Sequence, residues 1–412
     1  MKILFIEWAS FGNADIKDAF ADEGHQVVCF PFSNKDARRD AEIESDLAKK
    51  LHETVPDAVF SFNYFPLISN VCKREGLPYI SWIYDSPYVM LYSYTAINPC
   101  NTIYVFDRAL CREFNEAGIK TVRYLPMAAN TDRLDRLDPF PANPAIRDTD
   151  SIHAVSQAFD ALSSYVVPQT PGCPYLYNVT FVGSLYTESH NFFDRMENLS
   201  PYAKGYLEGL MNAQMNVQGC NFIQESLSPI MEELYRALPM DPNPDGVETR
   251  EYLYAQYVVN RKLTGLERLR LLTAITKRHT LDLFTLDPAF SLPNLCNHGT
   301  VDYYSEMPLV FKQSRINLNI SLRSIMSGVP LRAFDIMGAG GFLLSNYQED
   351  FFENFTPGVD FECYESEQDL LQKIDYYLTH EDERIAIAKN GHDKVAAAHT
   401  YRDRVREMLS GL

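Results

Sequence analysis

Residues 2–30, KILFIEWASFGNADIKDAFADEGHQVVCF, read as strand, turn, helix and strand. The apolar run 2–7 gives way to a polar turn around Gly12. Residues 15–23 carry helical spacing, Gly24 stands where a helix C-cap belongs, and 26–30 is apolar again. Two strands joined through a helix form the unit of a parallel sheet, because parallel neighbours need a crossover. The unit recurs downstream: a helix over 42–54, a strand over 57–62, a helix over 67–75 ending at Gly76, and a strand over 78–83. A strand over 102–107, a helix over 108–117 closed by Gly118, and a strand over 121–125 complete the series. This alternation predicts a doubly wound parallel sheet with helices on both faces. Such sheets bind ligands beyond the carboxyl ends of their strands.

Residues 139–174 are proline-rich and break the rhythm, with helical spacing only at 152–162; they read as the end of the first domain plus a crossing segment. A second α/β series comes next, with strands predicted at 178–182, 281–286, 316–320, 341–345 and 360–364. A long helical stretch over 191–277, interrupted at 239–244, is inserted into it. Helices are expected at 331–337 and 368–379, and the charged tail 382–412 is amphipathic and helical. The fold class predicted is α/β: two Rossmann-like domains facing a cleft, with a helical insertion in the C-terminal half. The first spans 1–174 and the second 175–390, with residues 391–412 crossing back to the first.

Composition narrows the function. Of 412 residues, 46% are hydrophobic and 22% charged, as in a globular protein of more than one domain. The balance of 55 acidic against 37 basic residues, a net charge of −18, argues against a nucleic-acid partner, which needs a positive field. The eight cysteines form no CxxC pair, which suits reduced thiols used as small apolar side chains. The opening apolar run is too short for a signal peptide, and no stretch approaches the roughly 20 residues of a transmembrane helix. A cytoplasmic location is expected.

There is no Walker A motif, no GxSxG elbow, no HExxH and no zinc-finger spacing, and the turn after the first strand lacks the three glycines of the dinucleotide fingerprint. The most informative stretch is 321–346, SLRSIMSGVPLRAFDIMGAGGFLLSN. A helix starting near Pro330 offers free amides and a positive dipole to phosphate. Asp335, one turn further in, suits ribose hydroxyls, and Gly340 and Gly341 allow close backbone approach. The plainer alternative is a tight helix-to-strand connection.

Here a resemblance emerges. SGVPLRAFDIMGAGGFLLSNYQEDFFENFTPG, with TYRDRVREML after His399, resembles the C-terminal signature of the spore-maturation-type, CgeB-like glycosyltransferases. DAVFSFNYFPLIS, PYISWIYDSPY, VFDRALCREFNEAG and LPMAAN are similar to the domain that commonly precedes it. NVTFVGSLY resembles the opening of the donor domain, and EMPLVFKQSRINLNISLRSI the stretch before the signature. The resemblance implies the GT-B fold, a nucleotide-diphosphate sugar as donor and no cofactor. It implies a ribose role for Asp335, where related retaining enzymes carry Glu, and a phosphate role for Gly183 and Ser184. Ser327 stands where those enzymes often carry a second Glu, a departure from the two-glutamate pattern of the retaining enzymes.

Other candidates are assigned by position. Asp85 ends the strand 79–84 and is pinned by Ser86 and Pro87; it either serves the acceptor, in binding or as a base, or caps its own turn. Asn13, Asn63 and Tyr64 come after strands on the same edge and are assigned to the acceptor. Asp15 reads as a helix N-cap. Arg323 and Arg332 flank the Gly-Pro break and either neutralise a diphosphate or pair with nearby acids. Asn317 and Asn319 share a sheet face, where their amides need partners; Asn319 is assigned to the donor. Tyr303 and Tyr304 are available to frame a base, and His190 reads as structural. No DxD motif suits a divalent metal, which favours metal-independent stabilisation of the leaving group.

The expected activity is therefore transfer of a sugar from a nucleotide-diphosphate sugar to an unidentified acceptor, metal-independent and with retention favoured. Two rivals stay open: a nucleotide-sugar epimerase of similar build, and a non-catalytic protein that binds such sugars.

Overall fold

The computed structural model describes residues 1–33, 37–139, 175–187 and 191–411. The first sheet holds β1 (Lys2–Glu7), β2 (Gln26–Pro31), β3 (Ala58–Phe62), β4 (Tyr79–Ile83), β5 (Asn101–Val105) and β6 (Val122–Tyr124). Their order is β2-β1-β3-β4-β5-β6, and every neighbouring pair is parallel. The central strands AVFSF and YISWI are buried at every position. Helices on both faces demand this, and it explains why these segments read as continuous apolar runs. Phe5, Phe20, Phe60 and Trp82 fill one face, while Leu47, Leu67, Ile68 and Ile103 fill the other.

The second sheet holds β7 (Tyr177–Val182), β8 (Leu281–Phe284), β9 (Leu295–Asn297), β10 (Ser314–Asn319), β11 (Leu343–Asn346) and β12 (Glu362–Tyr364). It is again parallel, in the order β12-β11-β10-β7-β8-β9. The sequence pattern places five of these strands. It misses β9, whose three residues are too short to show a period.

The predicted helical insertion is more broken than its spacing implies. Helices Pro201–Gln214, Met231–Ala237 and Asn260–Thr276 are separated by turns and by the single-turn helices Ile223–Ser226 and Arg250–Leu253, and a π-helical segment, Tyr254–Val259, precedes the last. Gly219, with φ 70°, and the prolines at 229 and 239 mark the breaks. Leu207, Ile223, Leu234, Tyr254 and Leu263 give this layer its own core. The tail is likewise two helices, Glu381–Ala398 and Tyr401–Leu409. Thr400 starts the second with a reciprocal capping box to Asp403.

That last helix packs on Asn13–Asp22 of the first domain, with Tyr401 edge-on to Trp82 at 5.9 Å. Arg404 donates to the carbonyls of Pro126 (2.9 Å) and Met127 (3.2 Å), and Arg406 pairs with Glu23 at 2.7 Å. The helix expected over 152–162, the crossing segment from residue 140 onward and His190 lie outside the described residues. Among the described residues, no helix is long and apolar enough to cross a membrane.

Candidate functional site between the two sheet edges

Loops leaving the carboxyl ends of both sheets meet. After β1, the Gly12 N–H donates to the Tyr304 hydroxyl at 3.1 Å; after β4, the Ser86 hydroxyl donates to Ser324 at 3.1 Å. After β5, Asp107 receives the Met326 N–H at 2.6 Å and the Ser327 hydroxyl at 3.0 Å. Gly328 is needed here, because a Cβ would stand 2.8 Å from the Phe106 carbonyl oxygen and 2.9 Å from the Asp107 Cα. Both are backbone atoms and cannot swing aside. Two binding edges that face each other are the arrangement two Rossmann-like domains need to share one ligand.

On the first edge, Asp85 lies just past β4. Its carboxylate accepts from the Asn63 amide at 2.7 Å, and the Asn63 carbonyl oxygen accepts the Tyr84 N–H at 3.2 Å. Asn63 holds a left-handed backbone, φ 57°, that Asn tolerates better than most residues. Solvent reaches Asp85, yet protein crowds it on the remaining sides. Desolvation raises its pKa, and the Asn63 hydrogen bond only partly offsets this. Beside it opens a cavity lined by Asp85, Pro87, Glu113, Tyr252, Gln256 and Met326, so the helical insertion roofs this edge.

The structure corrects several expectations on this edge. Tyr64 is fully buried, stacked on Tyr79 at 5.9 Å with its hydroxyl on Thr95 at 2.7 Å, so it is a core residue and faces no ligand. Asn13 begins the first helix, where its amide donates to the Trp8 carbonyl at 2.7 Å and its carbonyl oxygen accepts from Ser10 at 2.5 Å. Gly12, not Asp15, is the N-cap. Asp15 is 1% exposed and bound by Arg133 (2.8 and 3.1 Å) and Asn130 (2.8 Å). Arg133 also donates to the Tyr304 carbonyl at 3.1 Å, joining the two domains.

On the second edge, Asp335 lies in the helix Leu331–Gly338, 8% exposed. It accepts from the Tyr303 hydroxyl at 3.0 Å and sits 3.5 Å from Arg332. Burial pushes its carboxyl up to about 6; Arg332 and the Tyr303 hydrogen bond oppose that rise, and Asp15 adds to it. Gly183 and Ser184 follow directly on β7. The Gly183 N–H is already spent on the Phe284 carbonyl at 3.0 Å, so it extends the ladder and is not an amide offered to phosphate. Arg268, which the sequence motifs do not single out, donates to the carbonyls of Ser184 and Ile320 and so ties the ends of β7 and β10 together. A signal for it does exist: Glu267 and Arg268 fall on the apolar stripe of their helix, beside Leu263, Leu271, Leu272 and Ile275.

Arg323 is not a free cation. It makes a two-pronged pair with Glu267 at 2.8 and 2.5 Å and donates to the Val217 carbonyl at 3.0 Å. Asn319 donates to Ser345 (2.9 Å) and Ser321 (3.1 Å), and Asn317 to the Phe311 carbonyl (3.1 Å); both amides serve the sheet. Gly340 and Gly341 close the helix at the amino edge, opposite the cleft. Gly340 takes the left-handed cap, φ 77°, and a Cβ on Gly341 would stand 2.7 Å from the Asn317 amide. For these two the plainer reading holds. Ser327 is engaged by Asp107 and by the Ala109 N–H at 3.0 Å.

The amino end of the helix Arg108–Glu116 is thus capped across the interface, since Asp350 also takes the Arg108 N–H at 3.0 Å. Burial pushes Asp350 up to about 6, from 3.8 for an unperturbed aspartate. The folded state therefore holds its proton more tightly than the unfolded state. Stability of the wild type relative to Asp350→Asn is expected to fall by about 1–3 kcal/mol as pH rises from about 4 to about 6, then to level off. Urea denaturation of both proteins across that window measures it; a flat difference would remove Asp350 from the interface electrostatics.

Residues 266–410 match a family model described as glycosyl transferase-like. No curated protein matches the sequence. Solved structures similar to the chain include a glycosyltransferase from Rickettsia africae ESF-5, at 13% identity and TM-score 0.52, covering 99% of this chain and 97% of that one. Anabaena Alr3699/HepE in complex with UDP-glucose is 12% identical with TM-score 0.51, over 100% of each chain. Sucrose-phosphate synthase of Thermosynechococcus elongatus is 11% identical with TM-score 0.51, over 100% of this chain and 98% of that one. The chain has the GT-B fold of these glycosyltransferase structures, and its last third matches the glycosyl transferase-like family.

Proposed function

We propose that this protein transfers a sugar from a nucleotide-diphosphate sugar to an acceptor hydroxyl, within the CgeB-like group that its signature resembles. The observation that carries the reading is the placement of two carboxylates, Asp85 at the carboxyl end of β4 and Asp335 buried in the helix Leu331–Gly338, beside loops through which the carboxyl edges of two parallel sheets meet. The Anabaena structures hold UDP and UDP-glucose, which makes a uridine donor the first to test.

In this reading Asp335 binds the ribose, Arg332 and the amino end of its helix stabilise the diphosphate leaving group, and Ser184 lines the phosphate side. Arg268 is a positioning residue for the two loops. Asp85 orients the acceptor hydroxyl. No cofactor and no metal take part, retention is the proposed outcome, and the reaction is placed in the cytoplasm.

Asp335→Ala is expected to weaken UDP binding by about 10- to 150-fold, the equivalent of about 1.5–3 kcal/mol for a hydrogen bond to a charged group. Calorimetry on the folded variant measures it, and unchanged affinity removes the ribose role. A thermal-shift panel of UDP, GDP, dTDP and their sugars, then donor turnover and anomeric analysis of the product, tests the reaction. Binding without transfer or hydrolysis would favour a binding protein, and conversion of the free donor to its epimer would favour an epimerase.

A further inference from the structure

We propose that Asp282, Cys296 and His298 bind one zinc ion on a face of the second sheet, outside the reaction assigned above. β8 and β9 are paired with Asp282 directly opposite Cys296, so the two side chains leave the same face. His298 lies two residues beyond Cys296 and shares that face. Its N–H donates to the Leu283 carbonyl at 2.8 Å, which continues the ladder past the end of β9. A carboxylate oxygen, a thiol sulfur and an imidazole nitrogen thereby come within 4.8 Å of one another.

The donor set selects the metal. Calcium and magnesium take oxygen ligands, whereas one S, one N and one O suit a borderline ion such as zinc. Zinc holds sulfur at about 2.3 Å and nitrogen or oxygen at about 2.0–2.2 Å, which spaces tetrahedral ligand atoms by roughly 3.3–3.8 Å. The cluster would need to contract by about an ångström, a matter of side-chain rotation. The 2.8 Å contact between His298 Nε2 and Asp282 Oδ1 would open to admit the ion between them.

The surroundings are ordered enough to hold such a site. Phe284 stacks on the His298 ring at 4.6 Å and Tyr177 meets it at 5.6 Å, which fixes the imidazole plane. The side chains of His298 and Asp282 keep 16% and 12% of their surface, so an ion has a route in. Cys296 forms no disulfide. Three protein ligands leave a fourth position for water.

An ion there would also pin the segment just beyond His298. The Thr285 N–H donates to the Gly299 carbonyl at 2.8 Å, and the chain then runs to Tyr303 on Asp335 and Tyr304 on Gly12. His298 is the foot of the segment that reaches both the donor carboxylate and the other domain.

The test uses the full chain stripped with a chelator and titrated with Zn²⁺, with Co²⁺ as a coloured substitute. One equivalent should bind, raise the thermal midpoint, and with cobalt give a thiolate-to-metal charge-transfer band. Cys296→Ala should abolish the band and weaken zinc binding by at least about tenfold, while Cys220→Ala changes neither. If Cys296→Ala does not fold, Cys296→Ser carries the same comparison. No saturable binding to the wild type, or equal affinity and an unchanged band in the Cys296 variant, overturns the site. Neither readout depends on glycosyl transfer, so the site can fail while the proposed function stands, and the reverse.

Discussion

Asp85→Asn is expected to reduce the turnover number by about 10²- to 10⁴-fold, the usual worth of a positioned carboxylate that accepts or orients a proton. The substitution keeps the shape of the side chain and removes its charge. Asn63 already donates to this carboxylate at 2.7 Å, and an amide oxygen in the same place can still accept that bond. The loop should therefore survive, and the comparison reads chemistry, not folding. Because crowding raises the Asp85 pKa, the acidic limb of the rate profile should lie above that of an ordinary Asp and vanish in the variant. A near-normal turnover number with both substrates saturating would leave Asp85 a turn residue.

Glu267→Ala is expected to destabilise the protein by about 3–5 kcal/mol, because it strands the Arg323 guanidinium in the interior. Glu267 is 3% exposed and meets Arg323 through two short bonds, while a third bond from the guanidinium goes to the Val217 carbonyl. Glu267→Gln should lose less, since it keeps an acceptor. The double variant Glu267→Leu, Arg323→Met should lose less than either single charge removal, as paired removal spares the uncompensated charge. Denaturant midpoints compare the series. A loss under about 1 kcal/mol in Glu267→Ala would show that water reaches the pair.

Whether a feature is legible in the sequence depends on where its determinants lie. The first domain is legible because its signals are local. Strands such as YISWI are apolar throughout, Asp107 starts one helix, and Gly76 ends another with φ 68°. β9 hides because three half-buried residues carry no period. Asp335 stands out from its place in a helix after a Gly-Pro break, but its partner Tyr303 lies 32 residues away and nothing in the spacing links them. Tyr64 misleads for the same reason: whether a tyrosine after a strand faces ligand or core depends on Tyr79 and Thr95, which other segments supply. Gly340 and Gly341 mislead differently. A glycine pair closes a helix and exposes backbone to a ligand with the same letters, and only the sheet edge decides between them.

The helix Tyr401–Leu409 has a bearing on how this chain is born. It covers the helix Asn13–Asp22, lays Tyr401 against Trp82, and sends Arg404 to the carbonyls of Pro126 and Met127. A ribosome completes the first sheet long before it reaches residue 401. At about 5–20 residues per second, that sheet waits tens of seconds with this face uncovered. The first domain should then be a client of chaperones that shield apolar surface on nascent chains, and it should settle only when the last helix arrives. Release of truncated chains ending before residue 400 should yield a first domain open to protease, whereas adding the 401–409 peptide in trans should restore its resistance.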